Sequence, residues 1–143
     1  MEQSIFKKIF INSSVTKVWK ALTLPALMQR WMADTPIEIN TSWQQGSNIT
    51  ITGDWYKAGF KNSGIVLKAE KPVLLIYTHL SSLSRLADKE ENYTILEFRL
   101  AAAEDGTGLS LTIRNFPTEA IYHHFNFFWM VALHRLKKLA EEY

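Results

Sequence analysis

The stretch Ser14-Val-Thr-Lys-Val-Trp-Lys-Ala-Leu-Thr-Leu-Pro-Ala-Leu-Met-Gln-Arg-Trp31 decides how this chain folds. Val15, Val18, Trp19 and Leu22 recur at spacings of three and four. Leu24, Leu27, Met28 and Trp31 do the same beyond Pro25, so each set occupies one face of a short helix. The proline has no N–H to continue the first helix, and the pattern therefore predicts two amphipathic helices hinged at Leu24-Pro25, a lid with two tryptophans on its buried seam. Asn12-Ser13-Ser14 supplies side-chain oxygens to cap the first of them.

Outward from this pair the signal is mostly strand. Residues 5–11 read as a first strand with Lys7 and Lys8 on opposite faces, and Ile37 and Ile39 begin a short one after the helices. Residues 47–53 alternate strictly, with Ile49 and Ile51 facing one way. A hairpin connection is expected over 54–59, followed by strands over 63–69 and 73–80. Residues 81–92 have no period and are rich in serine and charge, which predicts a loop long enough to move. Over 93–101, Leu96, Phe98 and Leu100 share one face, and Ile95, Glu97 and Arg99 the other. Asp105-Gly106 signals a turn before Leu109, Leu111 and Ile113.

Pro117-Thr118-Glu119 opens a final helix over 118–142. Its expected stripe is Ile121, Phe125, Phe128, Ala132, Leu136 and Leu139. Phe127, Trp129, Met130 and Leu133 fall off that stripe, so the first half is expected to be covered on two sides, by the sheet and by the helix pair. The order strand, helix pair, antiparallel strands, long helix defines an α+β chain in which a sheet wraps a helix.

Composition narrows the function classes. A chain of 143 residues forms one domain, 1–143, and buries roughly two thirds of its unfolded surface. With 47% hydrophobic residues and five tryptophans it holds more large apolar surface than a minimal core requires, enough to line a cavity. Net charge is +2 and the lysines are scattered, without the stripe that phosphate backbones demand, so nucleic acid is not an expected partner. The absence of cysteine suits a reducing compartment. No signal peptide is read at the N-terminus, and the longest apolar run, 127–133, falls far short of the roughly 20 residues that span a bilayer. The expected setting is cytoplasmic.

The order of these pieces resembles the START-like, helix-grip superfamily known as SRPBCC, and within it the branch related to activators of the heat-shock protein 90 ATPase. Val18-Trp19-Lys20-Ala21-Leu22-Thr23 with Pro25 and Trp31 is similar to that branch's opening. Gly64-Ile65-Val66 before Pro72, and Leu75-Ile76-Tyr77-Thr78, are similar to its central strands. Gly106-Thr107-Gly108-Leu109-Ser110-Leu111 and Phe128-Trp129 with Leu133, Leu136 and Lys137 are similar to its close. Phe128 stands where a glycine commonly precedes the tryptophan, and Leu24 where an acidic or Asn cap precedes the proline. The resemblance implies a seven-stranded antiparallel sheet gripping the last helix, often with a hydrophobic cavity between them. Its members include lipid carriers, metabolite binders, cyclases and co-chaperone domains, so fold alone does not decide function.

Candidate chemistry is sparse. Adjacent helical positions point about 100° apart, so His123 and His124 cannot face one ion, and His134 lies roughly 16 Å further along the axis. No metal site or cofactor is expected. His123 can pair with Glu119 one turn earlier. Glu97 and Arg99, with Tyr77 or His79 from a neighbouring strand, could supply an acid, a base and a clamp inside an apolar cavity, although their strand face ordinarily meets solvent. No nucleophile elbow, phosphate loop or dinucleotide fingerprint is present, and no catalytic residue is assigned.

Aromatic side chains are the better binding candidates. Trp31, Trp43 and Trp55, with Tyr77, Phe98, Phe125 and Trp129, are expected to contact a ligand, while Trp19 belongs to the core. Trp55 and Tyr56 sit at a hairpin tip, where packing would need something to cover them. The leading reading is a non-enzymatic domain that binds a small hydrophobic or amphipathic molecule between sheet and helix. The alternatives are an interaction domain that docks a chaperone or an identical subunit, and a cyclase- or hydrolase-like enzyme. A large dry cavity favours the first, a filled interior the second, and a wet pocket with a buried carboxylate the third.

Overall fold

Strand β1 (Ser4–Ile11) runs into α1 (Val15–Thr23), which starts where the Ser14 side chain accepts from the Lys17 N–H at 3.2 Å. Helix α2 (Pro25–Met32) follows after the single joint residue Leu24. The computed structural model describes residues 3–55 and 58–142. Strands β2 (Ile37–Asn40), β3 (Asn48–Trp55), β4 (Ala58–Glu70) and β5 (Leu74–Ser81) come next. Two 3-10 turns, Ser82–Ser84 and Glu90–Asn92, lead to β6 (Thr94–Ala103), β7 (Gly106–Arg114) and the long α3 (Glu119–Glu142). Among the described residues the strands form one seven-stranded sheet in the order β1-β7-β6-β5-β4-β3-β2, with every neighbouring pair antiparallel.

Alternation fixes which face each strand turns to α3. Tyr77 pairs with Leu96, Phe98 with Leu111, and Leu96 with Ile113, and all of these are buried on the helix side. Ile95, Glu97 and Thr112 turn outward. From α3 the buried set is Phe125, Trp129, Ala132, Leu133, Leu136, Leu139 and Ala140. Trp129 and Leu133 therefore belong to the main stripe, while Phe128 is only half-buried. The expected second cover over the first half of this helix is absent at Phe127, Met130 and Val131, which are exposed. Leu24 is likewise exposed, because it is the joint between the helices and not part of α2's inward face.

The strand pattern differs from expectation in two places. β4 is 13 residues long and begins at Ala58, so the strands continue through most of the expected 54–59 connection. Tyr56 and Lys57 lie outside the described residues. The expected mobile loop over 81–92 is held by local bonds: Ser81 Oγ accepts from Leu83 N–H, Asn92 Nδ2 donates to the Ala87 carbonyl, and Asn115 Nδ2 donates to the carbonyls of Glu91 and Tyr93. Gly64 is required by close approach, since a Cβ there would stand 1.7 Å from the Thr78 carbonyl oxygen across the β4–β5 pair. At the far end, Lys137 Nζ donates to the Phe10 carbonyl and to Glu141, whose carboxylate accepts from the Asn12 N–H. This ties the last turns of α3 to the β1–α1 corner.

Candidate functional site

The two tryptophans nearest the helix pair act on its backbone. Pro25 is the residue four beyond Ala21 and has no N–H, so the Ala21 carbonyl has no helical partner. The Trp31 indole N–H donates to it at 2.7 Å. Thr23, the last residue of α1, has its carbonyl bonded by the Trp43 indole N–H at 2.7 Å, while its own hydroxyl donates to the Trp19 carbonyl. Two ligand candidates thus serve as caps for α1, which their position in the sequence alone did not disclose. The missing donor at Pro25 was the signal available.

Their rings continue into a row of contacts across the interior. Trp31 lies 5.7 Å from Trp129, Trp129 lies 5.4 Å from Phe98, Phe98 lies 5.9 Å from Tyr77, and Tyr77 lies 5.6 Å from Trp43, all between ring centroids. Phe125, one turn before Trp129, meets His79 at 5.2 Å and Phe116 at 6.3 Å. The structure thus brings five of the seven candidates into one row and places Phe125 in an adjoining cluster. The Trp55 side chain lies outside the described residues. Phe116 and His79 complete the cluster and had not been assigned to binding; Asn115-Phe116-Pro117 carries no periodic signal that would mark its ring as internal.

One polar atom in this row has no partner. Trp129 is 3% exposed, and its Nε1 is buried without an acceptor. Burial raises the Tyr77 phenol above its ordinary range. Burial, with a contribution from the nearby His124, lowers His79 from 6.5 to about 4, so the imidazole is neutral near pH 7.

The candidate catalytic set does not assemble. Glu97 faces outward, where Arg99 Nε donates to it at 2.7 Å and Arg114 at 3.4 Å. The hydrogen bond from Arg99 is the main cause that holds its carboxyl below the usual range. Tyr77 and His79 project from the opposite side of the sheet, a consequence of strand parity that separates the acid from its intended partners. His123 does reach Glu119, at 3.6 Å. Among the described residues no helix is long and apolar enough to cross a membrane.

On the outward face lies a separate groove of about 910 Å³, bounded by Ile65, Leu67, Thr78 and Ile95 and by residues 88–91, Tyr93 and Asn115. Tyr93 Oη donates to Asp88 at 2.5 Å, and chiefly that bond pushes its phenol up to about 12.

A seven-stranded antiparallel sheet closed over a C-terminal helix, with a helix pair beside it, defines a START-like helix-grip protein. The family model described as Activator of Hsp90 ATPase homolog 1-like protein matches residues 12–141, and the chain belongs to that family. A protein from Cytophaga hutchinsonii solved in solution is 30% identical, with a TM-score of 0.83 over 98% of this chain and 94% of that one. The Aha1 dimer from Colwellia psychrerythraea, also solved in solution, is 24% identical, with a TM-score of 0.75 over 97% and 96% of the two chains. A crystal structure of a Mesorhizobium loti protein is 21% identical, with a TM-score of 0.81 over 98% of both. These last two are similar in fold. None of the curated proteins matches the chain.

Proposed function

We propose that this chain is a protein-interaction domain that docks an ATP-dependent chaperone or an identical subunit. The observation that carries this reading is the interior occupied by rings in mutual contact, which puts the chain's surplus apolar side chains outside. Phe127, 65% exposed, shares the outward face of α3 with Met130 and Val131. The family's description names activation of the Hsp90 ATPase, and the Colwellia relative is described as a dimer; both support the reading. Titration calorimetry with an Hsp90-class chaperone and analytical ultracentrifugation of the protein alone test it together. Saturable chaperone binding or reversible self-association is expected, and the absence of both would end the proposal.

A second reading has one observation in its favour. A small hydrophobic or amphipathic molecule between sheet and helix, contacting Trp31, Trp43, Tyr77, Phe98, Phe125 and Trp129, could offer an oxygen to the unpartnered Trp129 indole. An apolar probe that binds with stoichiometry near one, changes tryptophan emission and raises thermal stability would move the assignment to this reading. A panel of lipids and aromatic rings without saturable binding would remove it.

A further inference from the structure

The sheet face turned away from α3 carries both a groove and a ridge, and their chemistries are complementary. The groove has an apolar floor of Ile65, Leu67 and Ile95, and Ile65 and Leu67 are 44% and 43% exposed. Its wall is acidic: Asp88, Glu90 and Glu91 outnumber Lys89. That wall is built, since Asn115 Nδ2 bonds the Glu91 carbonyl at 3.0 Å and the Tyr93 carbonyl at 2.7 Å. The ridge is β1. Phe6 pairs with Thr112 and Thr112 with Glu97, so Phe6, Lys8 and Phe10 stand on the same face as the groove. Phe6 is 64% and Phe10 46% exposed, and Lys8 between them is exposed as well.

We infer that a second copy of this chain docks face to face on this surface, with Phe6 and Phe10 of each copy on the apolar floor of the other and Lys8 against its acidic wall. The inference rests on the identical-subunit form of the interaction reading and names its surface. The groove spans β6, β5 and β4, so β7 separates it from the ridge, and β1 lies about 14 Å from β5 at the groove's middle at the usual strand spacing. A two-fold axis in the plane between two such faces exchanges them, which closes the assembly as a dimer. The Arg99–Glu97–Arg114 cluster lies between ridge and groove, where its charges of both signs can meet their own copies. Pairing of β1 edges is obstructed at one end, because Lys137 takes the Phe10 carbonyl and Glu141 the Asn12 N–H.

The test is sedimentation equilibrium over a wide concentration range at low and high salt, with far-UV melting curves as a fold control. A dimer that weakens with salt is expected for the native chain. The double variant Phe6→Ser, Phe10→Ser is expected to weaken it at least tenfold, whereas Phe127→Ser leaves it unchanged. Lys8→Glu alone and the pair Glu90→Lys, Glu91→Lys alone should each dissociate. Mixed one to one they should associate again, since both contacts then carry opposite charges. A monomer at all concentrations overturns the inference. So does association abolished by Phe127→Ser and untouched at Phe6, or chaperone binding by a monomer, and either of these would leave the interaction reading standing.

Discussion

Trp31 and Trp129 touch each other and yet stand in opposite polar circumstances. The first gives its indole N–H to a carbonyl that Pro25 cannot reach, while the second has no acceptor. Trp31→Phe strands the Ala21 carbonyl and is expected to cost about 1–3 kcal/mol beyond the packing lost. Trp129→Phe removes an unpaired donor along with some contact and is expected to be closer to neutral. Urea denaturation of the two variants checks the contrast, and equal losses would mean that the indole bond to α1 contributes nothing. His79 gives a second expectation at this scale. Its folded value of about 4 lies below its ordinary 6.5, so the unfolded chain binds the extra proton first. Stability is full above pH 6.5 and falls as pH drops toward 4, by about 1–3 kcal/mol at ~1.4 kcal/mol per unit. Glu97 and Glu141, both held below 4.5, lose their contributions only at lower pH, which keeps the windows apart. His79→Leu should flatten the slope between pH 6.5 and 4.5, as read by thermal melts across that range.

The elements that announced themselves in the sequence are those with one buried face. β6 and β7 alternate cleanly because one side meets α3 and the other faces outward. α1 and α2 were legible from their spacing and from Pro25. The first half of β4 was not, because Ala58, Gly59, Lys61 and Asn62 give no apolar alternation and hold their place by pairing with β3. α3 was found as a helix, and Phe125, Ala132, Leu136 and Leu139 of its expected stripe are buried, but Phe128 was placed on that stripe and Trp129 and Leu133 off it. With apolar residues almost all round, period alone could not choose Trp129 over Phe128, and the choice is made by what packs against it. At Gly64 the requirement belongs to the β4–β5 pair, where Thr78 Oγ1 also accepts from the Ile65 N–H at 2.9 Å. Gly64→Ala must push these strands apart and is expected to destabilise by about 3 kcal/mol or more. An unchanged thermal midpoint would show that β4 can shift without loss.

Across the whole molecule the question is where the surplus apolar surface went. The sequence pointed to it through five tryptophans and an apolar helix, but not to its destination, because a lined cavity and a filled interior have the same composition. In the structure, rings occupy the row from Trp31 through Trp129 and Phe98 to Tyr77 and Trp43, and Phe6, Phe10, Phe127 and Met130 remain outside. A filled interior has a testable property: it accepts a small guest only after a side chain is removed. Trp129→Ala is expected to cost about 3–5 kcal/mol, since the neighbouring rings can close the space only in part. Free indole should then enter that space and recover about 1.4 kcal/mol at ten times its dissociation constant. The native chain, melted in the same indole series, should show no gain. Equal stabilisation of both proteins would mean that the native interior already has room for an apolar guest, and the ligand-binding reading would then replace the interaction reading.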